Sequence, residues 1–116
     1  MLLGLGIDIV EVDRIARLVQ RKPEFPERIL TPSEFEFYVR SLRHDAFLAG
    51  RWAAKEAAIK AWGAPLSFQE ISILPDGNGR PCLAFSGRAE GAAGQISISH
   101  DARTAVAVCI LTARQD

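Results

Sequence analysis

Asp8 stands between Ile7 and Ile9 in an apolar stretch, where a carboxylate is costly to bury without a partner. It can lie at an exposed strand edge, pair with an arginine, or be held by a metal or by hydrogen bonds. Glu56 belongs to the run Arg51-Trp52-Ala53-Ala54-Lys55-Glu56-Ala57-Ala58-Ile59-Lys60-Ala61-Trp62-Gly63. On a helix, Trp52, Glu56 and Lys60 fall at i, i+4 and i+8 and share one stripe, with Arg51 and Lys55 on the stripe beside it. Two readings stay open. Glu56 and Lys60 can make an ordinary solvated pair worth about 0.2–0.5 kcal/mol. Alternatively, a carboxylate beside several cations can hold a metal and a polyphosphate together. The small alanines around it leave room for a ligand along the charged stripe.

Ser97-Ile98-Ser99-His100-Asp101 is a third cluster. On a strand Ser97 and Ser99 point to one side, and His100 follows at its end. Hydroxyls and an imidazole placed so can contact phosphate or nucleotide; a plain polar turn is the alternative. A hydrolytic Ser/His arrangement is weaker, because neighbouring strand residues face opposite ways and no nucleophile elbow is present. Arg14, Arg17 and Arg21 form a fourth feature, one basic helix face with Lys22 beside it. It is either a solvated face or a docking surface for an acidic helix, whose carboxylates would pair with the guanidiniums. Cys82 and Cys109 lack metal spacing and sit among apolar residues, so both are expected as small buried hydrophobes. His44 and His100 are too far apart to support a zinc site.

The elements that must position these residues are legible. Residues 2–10 read as a buried strand. Residues 11–21 read as a helix with Val12, Ile15, Ala16 and Val19 on its inner face, Glu11 and Asp13 in its first turn, and Pro23 ending it. Thr31-Pro32-Ser33-Glu34 is a capping box opening a helix to about Ser41. The longest helix runs from about Asp45 to Trp62, where Gly63 stops it and Pro65 follows. Short strands come next: one holding Ile71 and Ile73, a turn at Pro75-Asp76-Gly77-Asn78-Gly79, and a return over Pro81 to Phe85. Gly87 to Gly94 reads as loop or weak helix. Residues 95–99 alternate as a strand. Thr104 to Leu111 is near-continuously apolar and is expected to be buried on both faces. The class is α+β, an antiparallel sheet packed against a long helix, with the first strand joining the sheet.

The chain has 116 residues, 14 Lys+Arg and 14 Asp+Glu, and 48% apolar residues. This predicts one domain over residues 1–116 and argues against disorder. Zero net charge argues against bulk binding to nucleic acid or anionic membrane. The first residues lack a basic n-region, and no stretch approaches the ~20 apolar residues of a membrane span, so a reduced, cytoplasmic protein is expected.

Four segments in this order resemble one family. Gly6-Ile7-Asp8-Ile9-Val10-Glu11, Arg28-Ile29-Leu30-Thr31, Ala49-Gly50-Arg51-Trp52-Ala53-Ala54-Lys55-Glu56-Ala57 and Ile96-Ser97-Ile98-Ser99-His100 look like the holo-[acyl-carrier-protein] synthases, the small bacterial 4'-phosphopantetheinyl transferases. The resemblance covers essentially the whole chain. It implies the 4'-phosphopantetheinyl transferase-like fold. It implies transfer of the 4'-phosphopantetheine arm of coenzyme A to a serine of apo acyl carrier protein, leaving adenosine 3',5'-bisphosphate, in fatty acid or polyketide biosynthesis. It also implies Mg²⁺ and a homotrimer with active sites at the subunit interfaces. By position, Asp8 and Glu56 match metal ligands, and Lys60 matches a lysine beside the pyrophosphate; these three are the expected catalytic residues. Arg51, Lys55, Gly63, Ser99 and His100 match positions around coenzyme A, together with Asp8, Glu56 and Lys60. Arg14, Arg17 and Arg21 match the basic helix that meets the carrier protein. Two other readings compete: a non-catalytic carrier-protein-binding module, and a metal-dependent phosphohydrolase acting on coenzyme A. Retention of Asp8, Glu56 and Lys60 counts against the first, and the lack of a separate water-activating cluster counts against the second.

Overall fold

The computed structural model describes residues 2–112. The chain begins with β1 (Leu2–Glu11) and turns at once into α1 (Val12–Arg21), the Val12 amide donating to Arg103 O at 2.8 Å. A five-residue helix α2 (Phe25–Ile29), α3 (Pro32–Arg40) and the 19-residue α4 (His44–Trp62) follow. A hairpin of β2 (Ile71–Pro75) and β3 (Pro81–Phe85) leads to β4 (Ala93–His100) and β5 (Thr104–Thr112). Two short 3₁₀ turns, Phe68–Glu70 and Gly87–Ala89, flank the hairpin.

The main sheet is antiparallel in the order β1-β5-β4, and β2-β3 forms a second, two-stranded sheet. Opposite Asp8 on β5 is Ala107, and opposite Ala107 on β4 is Ile98. Because strand side chains alternate, Gly4, Gly6, Asp8 and Val10 share the inner face of β1. Across that face lies α4, which packs on both β1 and β5. Its alanines make this possible: Ala53, Ala54, Ala57 and Ala58 are all wholly buried. Gly4 and Gly6 complete the approach. A Cβ on Gly4 would lie 1.9 Å from the Ala61 carbonyl oxygen, and one on Gly6 would lie 1.9 Å from that of Ala57. Helix backbone therefore rests on strand backbone. Larger side chains close the other side of the core: Ile15, Leu30, Leu48, Ile71 and Ile73 are each buried to within 1%. Each such burial contributes about 1.5–3 kcal/mol relative to exposure.

The helix signals hold in detail. Thr31 and Glu34 form the capping box, with Thr31 N–H donating to Glu34 Oε1 at 2.7 Å and Glu34 N–H to Thr31 Oγ1 at 3.3 Å. Gly63 ends α4 in the left-handed region at φ +82°, its amide bound to Ile59 O at 3.0 Å. The hairpin turn is closed by Asp76 Oδ1, which accepts from Asn78 N–H and Arg80 N–H.

Several expectations need correction. Neither β1 nor β5 is buried on both faces: Leu5, Ile7 and Ile9 are 61%, 61% and 67% exposed, and Ile110 is 40% exposed. These residues share the outer face of the sheet, and none of the described elements buries them. Cys109 is buried as expected, but Cys82 is exposed, because it faces outward on the short β3 strand. Glu11 precedes α1 as its N-cap, so only Asp13 is acidic within the first turn. Gly94 is a strand residue, held close to β5 where a Cβ would meet Ile110 O at 2.5 Å. The short helix α2 carried no periodic signal, since five residues are too few to show one.

Candidate active site

β1 and α4 bring the residues with the strongest chemical promise together. Lys60 lies near the C-terminal end of α4, and its Nζ donates to Ile7 O at 2.9 Å and to Asp8 Oδ1 at 3.2 Å. The lysine thus turns to the strand rather than to Glu56 one helical turn earlier. Glu56 is half-buried and makes no ion pair within 4 Å among the described residues. Burial, and then the charge of Asp8, hold its carboxyl above the ordinary glutamate value, while Lys60 and Arg14 pull it back down. Asp8, Glu56, Lys60 and Arg14 therefore act as one electrostatic cluster.

This donor set fits a hard divalent cation. Two carboxylates repel each other across the cluster, and a cation between them would relieve that repulsion. Among the described residues no group of three or more His, Cys, Asp and Glu side chains gathers anywhere. A metal here would take two carboxylates from the protein and fill its remaining positions with phosphate oxygens and water, which suits Mg²⁺.

Arg14, Arg17 and Arg21 are all exposed on α1, and among the described residues none of them has a carboxylate within 4 Å. Among the described residues this basic face thus forms no close ion pair, and its first arginine acts at longer range on Glu56. A groove of about 360 Å³ lined by Ile9, Val10, Glu11, Arg14 and Thr104 opens beside Arg14.

The other expected coenzyme A residues are dispersed. Gly63 follows Lys60 at the helix end. Arg51 lies on the side of α4 that faces β2, where its Nε donates to Ile73 O at 3.1 Å and its guanidinium sits 4.5 Å from the Phe47 ring centre. Ser99 is exposed on the outer face of the sheet, opposite Val106, whereas Asp8 is on the inner face. His100 closes β4 and lines a groove of about 550 Å³ with Arg43, His44 and Asp101. Within one chain these positions do not converge on a single pocket.

Lys55 is a correction. It is wholly buried, and its ammonium is used up on Glu34 Oε1 (2.6 Å), Ile29 O (2.7 Å) and Phe68 O (3.0 Å). Burial lowers its pKa against the opposing charge of Glu34. No donor remains for coenzyme A, so Lys55 is a core residue. Its partner Glu34, also wholly buried, was visible in the sequence only as a capping residue. Gln69 carries no sequence signal of its own, yet its side-chain amide donates to Glu27 O, Arg28 O and Leu30 O and so ties off the end of α2.

Residues 4–109 match the 4'-phosphopantetheinyl transferase superfamily. A holo-[acyl-carrier-protein] synthase of Geobacillus kaustophilus is 46% identical over 96% of this chain and 89% of its own length. One from Bacillus subtilis is 43% identical over 96% of both. Among solved structures, the holo-[acyl-carrier-protein] synthase of Neisseria meningitidis superposes with a TM-score of 0.89 at 32% identity, covering 97% of this chain and all of the other. That of Bacillus anthracis in complex with CoA (3',5'-ADP) superposes with a TM-score of 0.85 at 38% identity, covering 96% of each. Sequence and fold therefore agree along nearly the full length, and the chain belongs to the 4'-phosphopantetheinyl transferase superfamily, within its holo-[acyl-carrier-protein] synthase family.

Proposed function

We infer that this chain transfers the 4'-phosphopantetheine group of coenzyme A to a serine of apo acyl carrier protein and releases adenosine 3',5'-bisphosphate. The observation that carries this is the Asp8–Glu56–Lys60 cluster where β1 meets α4. The carrier's serine oxygen bonds to the β-phosphorus of coenzyme A as the bond to the bridging oxygen breaks. The nucleophile thus comes from the partner, and this chain needs no catalytic Ser or Cys. Asp8 and Glu56 would hold Mg²⁺, which when bound offsets the charge of the pyrophosphate and polarises it. Lys60 offsets charge on the departing phosphate from the other side. The serine proton passes to Glu56 or to a water beside the cluster.

Arg14, Arg17 and Arg21 would dock the acidic surface of the carrier, leading its serine to the cluster on which Arg14 acts. The exposed sheet face of Leu5, Ile7, Ile9 and Ile110 supports assembly with further copies of the chain as a homotrimer. Sharing of sites between subunits would then bring Ser99, His100 and Arg51 around one coenzyme A. Among the described residues no helix is long and apolar enough to cross a membrane, and the cytoplasm, where coenzyme A and carrier protein meet, is the proposed location. The test is direct: incubate the protein with coenzyme A, Mg²⁺ and apo carrier, and weigh the carrier by mass spectrometry. A gain of the phosphopantetheine mass supports the reading, and an unchanged carrier overturns it.

A further inference from the structure

We propose that Lys55, together with Glu34, is a positioning residue for Glu56: the buried pair fixes the rotation of α4 about its axis and so sets how Glu56 faces Asp8. This deepens the transferase reading and depends on it. The Lys55 ammonium has three hydrogens, and each meets an acceptor on a different segment: Ile29 O on α2 at 2.7 Å, Glu34 Oε1 on α3 at 2.6 Å, and Phe68 O before β2 at 3.0 Å. Glu34 is equally committed. Its Oε1 also accepts from Thr31 N–H at 2.7 Å, and its Oε2 accepts from Ile73 N–H on β2 at 2.9 Å. One carboxylate thus ties the start of α3, the middle of α4 and the strand β2 to a single point.

The opposite side of α4 needs such a clamp. There the helix rests on Gly4 and Gly6, bare backbone against bare backbone. Its buried flank is mostly alanine, with Ala53, Ala54, Ala57 and Ala58 at 0% exposure. Alanine contacts are apolar and non-directional, so they resist turning of the helix weakly. The hydrogen bonds of Lys55 are directional. Lys55 and Glu56 are consecutive, so rotation of α4 at one is passed on to the other. A purely stabilising role does not call for a buried ion pair, because well-packed apolar residues of similar volume often serve as well.

The test compares the full-length protein with Lys55→Met and with the charge-neutral double variant Glu34→Gln/Lys55→Met. Three quantities are measured: kcat, the KM for coenzyme A, and binding of Mn²⁺ alone followed by electron paramagnetic resonance. We expect kcat to fall about a hundredfold, as for a misplacement near 1 Å at the reacting centre. The KM for coenzyme A should change far less, and Mn²⁺ affinity should fall about tenfold. A lower melting temperature with unchanged kcat and unchanged Mn²⁺ affinity would overturn the proposal in favour of a structural role. So would a rise of about tenfold or more in the coenzyme A KM with Mn²⁺ affinity intact, which would make Lys55 a substrate ligand. Should both variants fail to fold, Glu34→Gln alone, which keeps an amide oxygen for Lys55, is read by the same criteria. If the wild-type protein fails to modify the carrier, the transferase reading falls, and Mn²⁺ affinity still decides whether Lys55 governs the carboxylate pair.

Discussion

Lys60 and Asp8 are 52 positions apart in the chain, yet the lysine Nζ lies 3.2 Å from Asp8 Oδ1. The same ammonium holds the Ile7 carbonyl oxygen at 2.9 Å, so it is fixed against β1 before any substrate arrives. Lys60→Met should therefore lower kcat by about 10²–10³-fold, as for loss of one preorganised charge-stabilising donor. Steady-state kinetics with coenzyme A and apo carrier check this, and a rise in KM alone would show that Lys60 serves binding only.

Glu56 makes a pH prediction with a definite sign. Its folded pKa is raised, so the fold favours the protonated form. The cost of holding the carboxylate sets in as pH climbs from the ordinary glutamate value through the raised one, and stays in full above it. Glu56→Gln should abolish turnover while raising the melting temperature at neutral pH, and the gain should vanish below the ordinary glutamate range. Carboxyl NMR of the metal-free protein should find Glu56 titrating above 4.5, higher still in Arg14→Ala and lower in Asp8→Asn.

Arg14→Glu should raise the KM for the carrier protein more than the KM for coenzyme A, and the carrier KM of the wild-type protein should climb with salt. Equal effects on both substrates would argue against docking by α1.

Gly6→Ala should destabilise the protein by roughly 1–3 kcal/mol or more, the usual cost of overpacking, because the new Cβ would fall 1.9 Å from Ala57 O. Gly77→Ala, with nothing within 4 Å, is the matched control and should be near neutral. Denaturant melts of the two variants decide it.

The cysteines supply a further structural check. Burial pushes the Cys109 thiol up to about 11, whereas Cys82 is exposed. At pH 8, iodoacetamide should label Cys82 and spare Cys109 in the native protein, as read by peptide mass spectrometry.

The part of this molecule legible in the sequence is the part written in local pattern. The Thr31–Glu34 box, the Gly63 stop and the Asp76–Gly79 turn each announce themselves within a few residues, and each forms. Asp8, Glu56 and Lys60 were also identifiable, because charge among apolar neighbours needs an explanation. The burial of Lys55 is hidden from the sequence for a physical reason. An alanine-rich helix has little amphipathic contrast, and α4 is buried on most sides, so stripe position says little about which cation meets solvent. The signal for Lys55 lay in a partner 21 positions away, a glutamate that already had a local role. The outer faces of β1 and β5 read as buried in the sequence because an apolar run looks alike whether its own chain or another covers it.

β1 has two faces with unlike duties. Its even positions Gly4, Gly6 and Asp8 address α4, and its odd positions Leu5, Ile7 and Ile9 address whatever lies outside the chain. A period of two permits no intermediate registers. Insertion or deletion of a single residue between Gly4 and Asp8 would exchange the faces, driving isoleucines against the α4 backbone and turning a carboxylate outward. The strand can therefore drift by substitution at single positions, but its length is fixed by both faces at once.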